Sequence, residues 1–161
     1  MRLLILAVGH GRGTSEGALT DDYIGRANAF GKRLGFSSVV AEEVGVSKLR
    51  EAKSRIAEEG ERLAARLPRG AQAIFLDARG KGMTSEDFAE MLAAMRDAGA
   101  KDLAFLIGGP DGLDPGPAVK SSRSLAFGPQ TWPHLLVRAM LAEQIYRALT
   151  ILGAHPYHRG H

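Results

Sequence analysis

The chain has 161 residues, of which 45% are hydrophobic and 24% are charged; this fits one globular domain with a real core and excludes a disordered chain. Its formal net charge of +3 permits a nucleic-acid partner but does not require one. The sequence contains no cysteine, which excludes disulfides, thiolate metal sites and cysteine nucleophiles.

The first two thirds of the chain alternate short apolar runs with helical patterns. Strands are predicted at residues 3–8, 38–42, 73–77 and 103–107. Helices are predicted at about residues 21–34, 47–67 and 85–98. Pro68 is expected to stop the second helix, and the third is expected to open with a capping pattern at Thr84 and to end at Gly99. This order predicts an α/β domain with a mostly parallel sheet flanked by helices.

The opening apolar run is read as a buried strand. It stops at Gly9, which makes it too short for a secretory leader. No later run approaches the length of a membrane span. We therefore expect a cytoplasmic protein with no membrane attachment.

The segment after the first strand, Gly9-His10-Gly11-Arg12-Gly13-Thr14, resembles a dinucleotide-binding fingerprint. That fingerprint needs glycine or alanine at its sixth position, where a helix packs on the strand. Here the sixth residue is Thr14, and the helical pattern resumes only near Asp21. A nicotinamide site is therefore disfavoured, and a loop that meets a partner is the alternative.

Two loops rich in glycine and proline, residues 108–117 and 128–133, flank a short segment at residues 124–127. Ligands of open α/β sheets bind outside the carboxyl ends of the strands, and glycine lets a backbone approach a ligand closely. An adenine also needs an apolar slot, for which the chain offers Leu76, Ile107, Leu113 and Trp132. The pattern alone leaves open whether these loops bind a ligand or only make turns.

The most strongly patterned helix is predicted at residues 134–152. It is apolar on nearly every side, so we expect a partner subunit to cover one of them. Glu143 and Arg147 are spaced for an ion pair. Arg138 falls among apolar positions and needs partners if it is buried. We favour a functional or interface role for Arg138; a side chain that reaches out to water is the alternative.

The tail, residues 154–161, carries three of the five histidines: His155, His158 and His161. It has no carboxylate side chain, so a zinc site is disfavoured and no metal is expected. Tyr157 and Arg159 suit RNA, because aromatic rings stack on bases and arginine binds phosphates. A frayed terminus is the alternative.

Three segments together resemble one known family, the RlmH family of pseudouridine N3-methyltransferases within the SPOUT superfamily. They are Ile107-Gly108-Gly109-Pro110-Asp111-Gly112, Trp132-Pro133-His134-Leu135-Leu136-Val137-Arg138 and His155-Pro156-Tyr157-His158-Arg159. The resemblance extends over the whole chain, although residues 126–130 are longer than in some members of that family.

The resemblance implies a single SPOUT domain over residues 1–161, with a trefoil knot at about 103–153 and an RNA-facing tail at 154–161. It further implies a homodimer that binds S-adenosylmethionine in the knot. The implied reaction is methylation of N3 of a pseudouridine in helix 69 of the 23S rRNA, on the assembled ribosome.

The resemblance also assigns site residues. Those implied for the cofactor are Leu76, Gly108, Gly109, Gly128, Pro129, Gln130, Thr131, Trp132 and Pro133. Those implied near the target base are Arg138, Tyr157, His158 and Arg159. His158 is a candidate general base, while Arg138 or Arg159 could instead stabilise the deprotonated base, and the sequence leaves this choice open.

Two other functions remain as alternatives at this point. One is a ribosome-associated factor that binds RNA without catalysis, which the glycine loops weigh against because RNA binding does not need them. The other, a nucleotide-dependent oxidoreductase, is disfavoured by Thr14.

Overall fold

A computed structural model of the chain describes residues 1–114 and 122–159, without the side chains of Ser122, His158 and Arg159. Within these residues, one parallel sheet of five strands has the order β2-β1-β4-β3-β5. The strands are β1 (Arg2–Val8), β2 (Ser38–Val44), β3 (Gln72–Gly82), β4 (Asp102–Ile107) and β5 (Ser122–Ala126). The predicted α/β class with a parallel sheet is confirmed.

Four helices cover the two faces of the sheet: α1 (Ser15–Gly31), α2 (Ala52–Ala64), α3 (Ser85–Asp97) and α4 (His134–Leu152). Alternate residues of β1 point to opposite faces, as in any strand. Leu3 and Ile5 join a core formed with α1, α3 and α4. Leu4 and Leu6 join a smaller core that contains Leu63 of α2. Because all strands are parallel, their carboxyl ends and following loops share one edge of the sheet.

The predicted bounds of two helices are wrong. Helix α1 begins at Ser15 and not near Asp21, with the Thr14 hydroxyl accepting a hydrogen bond from the Gly17 N–H at 3.0 Å. Its first turns lack an apolar stripe because Gly17 packs directly on the Gly11 carbonyl, where a Cβ would approach to 2.0 Å. Helix α2 is shorter than the predicted 47–67, and Ser47 instead donates its backbone N–H to Glu59.

The other two helices match their predictions closely. The Thr84 hydroxyl caps α3 by accepting from the Asp87 N–H at 3.0 Å, and Gly99 follows the helix with a φ of +82°. The bounds of α4 are as predicted, and its ion pair between Arg147 and Glu143 is present at 2.7 Å.

Helix α4 differs from expectation in what covers it. Its central apolar residues Leu141, Ile145 and Leu149 are fully buried against the chain's own sheet and helices. They therefore need no partner subunit, and the sequence argument for one fails at these positions. The neighbouring Leu136 and Met140 are only partly buried.

Strand β3 carries a bulge next to β5. Both Leu76 and Lys81 pair with Leu125, so residues 77–80 leave the ladder. Gly80 lies against the β5 backbone, where a Cβ would come within 2.9 Å of the Leu125 nitrogen. The bulge turns Asp77 and Arg79 towards the carboxyl edge of the sheet, where they pair with each other at 2.7 Å.

The trefoil knot implied for residues 103–153 stays a prediction, and residues 115–121 of that stretch lie outside the described residues. Among the helices of residues 1–114 and 122–159, none combines the length and apolar character needed to cross a bilayer.

Candidate functional site

A cavity of about 990 Å³ opens at the carboxyl edge of β3, β4 and β5. This volume is at the upper end of the range for small-molecule sites. The cavity is bordered by the loops after these strands, by α2 and by the start of α4. Eight of the nine residues predicted for the cofactor line it, Pro129 being the exception: Leu76, Gly108, Gly109, Gly128, Gln130, Thr131, Trp132 and Pro133.

The loop after β4 folds tightly on itself. Gly109 and Gly112 form an antiparallel bridge in which the Gly112 N–H donates to the Gly109 carbonyl at 3.0 Å. A Cβ on Gly108 would lie 2.3 Å from the Gly112 carbonyl oxygen, so no side chain fits there. Glycine at position 108 thus lets the loop present its backbone to the cavity.

Apolar side chains wall the cavity. All four residues predicted to form an apolar slot line it: Leu76, Ile107, Leu113 and Trp132. Trp132 is 39% exposed, and its indole N–H donates to the Phe127 carbonyl at 3.0 Å. This hydrogen bond holds the ring at the edge of the second loop.

An ion pair ties the first loop to α2. The guanidinium of Arg55 donates to both oxygens of Asp111, at 2.6 and 3.0 Å. This bidentate contact holds the pKa of the Asp111 carboxyl below its ordinary value. The loop at residues 108–112 is therefore anchored from the side of α2.

A buried carboxyl group lies behind the same loop. Glu59 of α2 is 1% exposed, and its Oε1 accepts the Ser47 N–H at 2.8 Å. Its Oε2 has no hydrogen-bond partner among the described residues. A Cβ on Gly109 would come within 2.9 Å of this oxygen. Glu59 was not predicted from the sequence, where it stands in a charged run typical of an exposed helix face.

His134 lines the cavity at the first residue of α4. Burial lowers the pKa of its imidazole, and the charge of Arg138 lowers it further, while Glu59 opposes this shift. Its Nε2 would lie 3.1 Å from a Cβ on Gly9. The neutral imidazole is therefore favoured at this corner of the site.

Arg138 is buried, with 3% exposure, but it does not line this cavity. Its Nη2 donates to the carbonyls of Val8 and Gly9 at 2.9 and 3.0 Å. Its Nη1 donates to the Glu43 carboxylate at 2.5 Å. The expectation that Arg138 needs partners in a buried position is met, and those partners lie in β1, in the residue that follows β1, and in β2.

Glu43 contacts three groups. Besides Arg138, it accepts from the Gly11 N–H at 2.7 Å and contacts His10 Nδ1 at 3.0 Å. Burial alone would raise its pKa, but these hydrogen bonds and the Arg138 charge lower it below its ordinary value. Glu43 and Arg138 border a second cavity, of about 620 Å³, beside the glycine loop after β1.

Tyr157 of the tail lies away from the cavity at the carboxyl edge of the sheet in its own chain. The Tyr157 hydroxyl donates to Glu143 at 3.1 Å, and its ring centre lies 4.7 Å from that of Tyr146. His134 and Tyr146 are about 18 Å apart along α4 at 1.5 Å per residue. Within one chain, Tyr157 is therefore not brought together with the residues predicted for the cofactor.

The Tyr157 phenol is held in its neutral form. Burial raises its pKa, and its contacts with Tyr23 and Glu143 raise it further. Its contacts make it an anchor of the 3₁₀ turn Pro156–Arg159. The side chains of His158 and Arg159 lie outside the described part of the structure.

An apolar cleft of about 500 Å³ opens between α1, α3 and α4. Leu136 and Met140 of α4 border it, one turn apart, and face Leu19 of α1, which is 44% exposed. A cleft of this kind is suited to an apolar partner surface.

Over residues 1–114 and 122–159, no group of three or more histidine or acidic side chains is placed to hold a metal ion.

Comparison with known proteins shows what the chain is similar to. Residues 1–158 match a family model described as "Predicted SPOUT methyltransferase". A protein of Hyphomonas neptunium named "Ribosomal RNA large subunit methyltransferase H" is 50% identical over 159 residues, 99% of each chain. Proteins of the same name from Xanthobacter autotrophicus and Nitrobacter hamburgensis are 48% and 46% identical, and the matches cover 99% of this chain and at least 99% of each relative.

Proposed function

The chain belongs to the SPOUT methyltransferase family, and on that premise we propose that it transfers a methyl group from S-adenosylmethionine to N3 of a pseudouridine in large-subunit ribosomal RNA. The observation that carries the proposal is the cavity at the carboxyl edge of the sheet, with its glycine backbone and apolar walls. The names of the relatives support ribosomal RNA as the substrate.

The residues that border the cavity suit S-adenosylmethionine. Leu76, Ile107 and Trp132 offer apolar surface for an adenine ring, and the backbones of residues 108–112 and 128–133 offer hydrogen-bonding groups. When bound, the cofactor supplies a methyl group on a positively charged sulfur. The protein's part is to hold that group in line with the attacking nitrogen, and such alignment supplies much of the rate.

The base-activating step is assigned to the tail. Both terminal nitrogens of Arg138 are engaged with Val8, Gly9 and Glu43, so this side chain acts by holding β1, β2 and α4 together. His158 is then the candidate that takes the proton from the pseudouridine nitrogen, and Arg159 the candidate that stabilises the resulting charge. Tyr157 positions both by anchoring the turn that carries them.

We further propose that the protein acts as a homodimer in the cytoplasm, where ribosomes are. The cleft bordered by Leu19, Leu136 and Met140 is the candidate contact surface. Within one chain, Tyr157 lies away from the cavity. In a dimer, the tail of one protomer would reach the cavity of its partner.

The proposed dimer surface can be tested by comparing a substitution on the partly exposed side of α4 with one on its buried side. Met140→Glu should give folded monomers, because it places a charge on the partly exposed side of α4. Leu141→Glu should instead unfold the chain, because Leu141 is fully buried in its own core. Light scattering and circular dichroism would measure both. A Met140→Glu protein that remains dimeric would rule out this surface.

The cofactor site can be tested by fluorescence, because the chain has one tryptophan and it borders the cavity. Titration with S-adenosylmethionine should change the emission of Trp132 and saturate, since the ligand would alter the exposure of the indole. Calorimetry on the same sample provides the control. Heat of binding without any change in emission would show that the ligand binds away from Trp132.

The reaction itself can be tested with ribosomes from a strain that lacks this gene. Purified protein and S-adenosylmethionine should restore one methyl group to a pseudouridine of the large-subunit RNA, as read by mass spectrometry of nuclease fragments. A protein that binds these ribosomes but shows no heat with S-adenosylmethionine would be a non-catalytic RNA-binding factor.

A further inference from the structure

The Glu59 carboxylate lies beneath the cofactor cavity without a cation of its own. None of the ion pairs among the described residues includes it. The nearby Arg55 is engaged with Asp111, and Arg62 with Glu58 and the Gly45 carbonyl. An isolated buried carboxylate is costly to a fold, so its retention needs a compensating partner.

The unpartnered oxygen is on the cavity side of Glu59. Its other oxygen is held by the Ser47 N–H at 2.8 Å, which fixes the orientation of the group. The free Oε2 is beside Gly109, close enough that a Cβ there would meet it at 2.9 Å. Gly109 lines the cavity, as does Ile56, one helical turn before Glu59 in α2. The oxygen is thus separated from the cavity by a residue that has no side chain.

We propose that Glu59 makes the cavity selective for a ligand with positive charge at the reacting sulfur. This inference rests on the proposed function. S-adenosylmethionine carries a sulfonium, whereas its product S-adenosylhomocysteine carries a neutral thioether. A fixed negative charge in a poorly solvated site stabilises the first and gives nothing to the second at that atom. The stabilisation disappears once the methyl group has left, so Glu59 favours exchange of product for fresh donor.

Glycine in this loop was expected to let the backbone approach a ligand, but the absent side chain of Gly109 instead leaves room for Glu59. Its missing side chain would point at Glu59 and Val8 and not into the cavity. A side chain at this position would therefore displace the carboxylate before it blocked a ligand. The closeness of Gly109 to Glu59 is what allows the charge to act across the loop.

The test compares three ligands by calorimetry: S-adenosylmethionine, its cationic analogue sinefungin, and neutral S-adenosylhomocysteine. Glu59→Gln keeps the acceptor for the Ser47 N–H and removes the charge. It should weaken both cationic ligands by at least about tenfold, or ~1.4 kcal/mol, and change the affinity for S-adenosylhomocysteine by less than about threefold. Retained binding of that neutral ligand also shows that the variant is folded.

Glu58→Gln is the matched control, because it removes the same charge from the adjacent residue of α2. Glu58 is bonded to the Ser47 hydroxyl and to Arg62, on the partly exposed side of the helix. It should leave all three affinities unchanged. Glu59→Asp, which keeps the carboxylate, should retain most of the preference lost in Glu59→Gln.

Several results would overturn the inference. Equal weakening of all three ligands in Glu59→Gln would make Glu59 a purely structural residue. If Glu59→Gln does not fold, an equal loss of the three affinities in Glu59→Asp would lead to the same conclusion. Unchanged affinities would show that the charge does not reach the ligand. If the unmodified protein bound none of the three, the proposed function would fail as well.

Discussion

Removing residues 156–161 should lower methylation of ribosomes by at least ~100-fold, the lower range for loss of a general base. Affinity for S-adenosylmethionine should change by less than about tenfold, or ~1.4 kcal/mol. The two effects are expected to separate because the residues that line the cavity run no further along the chain than Val137, so the deletion removes none of them. The tail is thereby expected to serve the RNA step and not cofactor binding.

The matched control removes only Gly160 and His161, which leaves Tyr157, His158 and Arg159 in place. This shorter deletion should retain most of the activity. Methylation would be followed by mass spectrometry and cofactor affinity by calorimetry. If the longer deletion abolishes cofactor binding while ribosome binding persists, then the tail is a lid over a cavity, and the proposed division of roles is wrong.

Arg138→Met should lower the free energy of unfolding by about 3 kcal/mol, as expected when one member of a buried ion pair is removed. The variant leaves the carbonyls of Val8 and Gly9 without their donor and leaves Glu43 without its cation. Arg26→Met is the control, because the pair of Arg26 with Asp22 is exposed to solvent and should contribute little to stability. Urea unfolding would measure both variants.

The pH dependence gives this prediction a second measurement. Because the folded-state pKa of Glu43 is lowered from its usual 4.5, its stabilisation is fully present above that value. It is lost as pH falls through the lower folded-state pKa, and Arg138→Met should reduce this acid sensitivity. An Arg138→Met protein of normal stability that no longer methylates ribosomes would instead support the direct role near the target base that the family resemblance implies.

Where local pattern determines structure, the sequence predicts it well. The continuous apolar pattern of α4 indicates both its ends, and the threonine cap of α3 indicates its start. The start of helix α1 is not predicted by local pattern. Gly17 is required there because the Gly11 carbonyl packs against it, although glycine has a low helix propensity. A contact between backbones in two elements leaves no periodic signal, so the predicted start is six residues late.

The same reasoning explains which part of the site could be predicted. The two glycine loops stand out in the sequence because their composition is unusual, and they do border one cavity. Glu59 could not be identified, because it lies in a charged segment that is typical of a solvent-exposed helix face. Glu43 follows a predicted buried strand, and the local pattern does not indicate its partners. The ion pair of Glu43 with Arg138 joins two residues that are 95 positions apart in the sequence, so no local pattern indicates it.

Helix α4 runs from the cavity to the turn that carries Tyr157, and its packing makes the chain sensitive to length at this point. Each residue of a helix turns the next by 100°, so an inserted residue rotates everything beyond it. An insertion between Arg138 and Leu141 would keep Arg138 on Glu43 but turn Leu141, Ile145 and Leu149 away from the core that buries them. The turn that carries Tyr157 follows α4 and would rotate with it. Substitutions on the outer side of α4 leave that phase intact. Natural differences in length are therefore expected in the loops around the cavity and not within this helix.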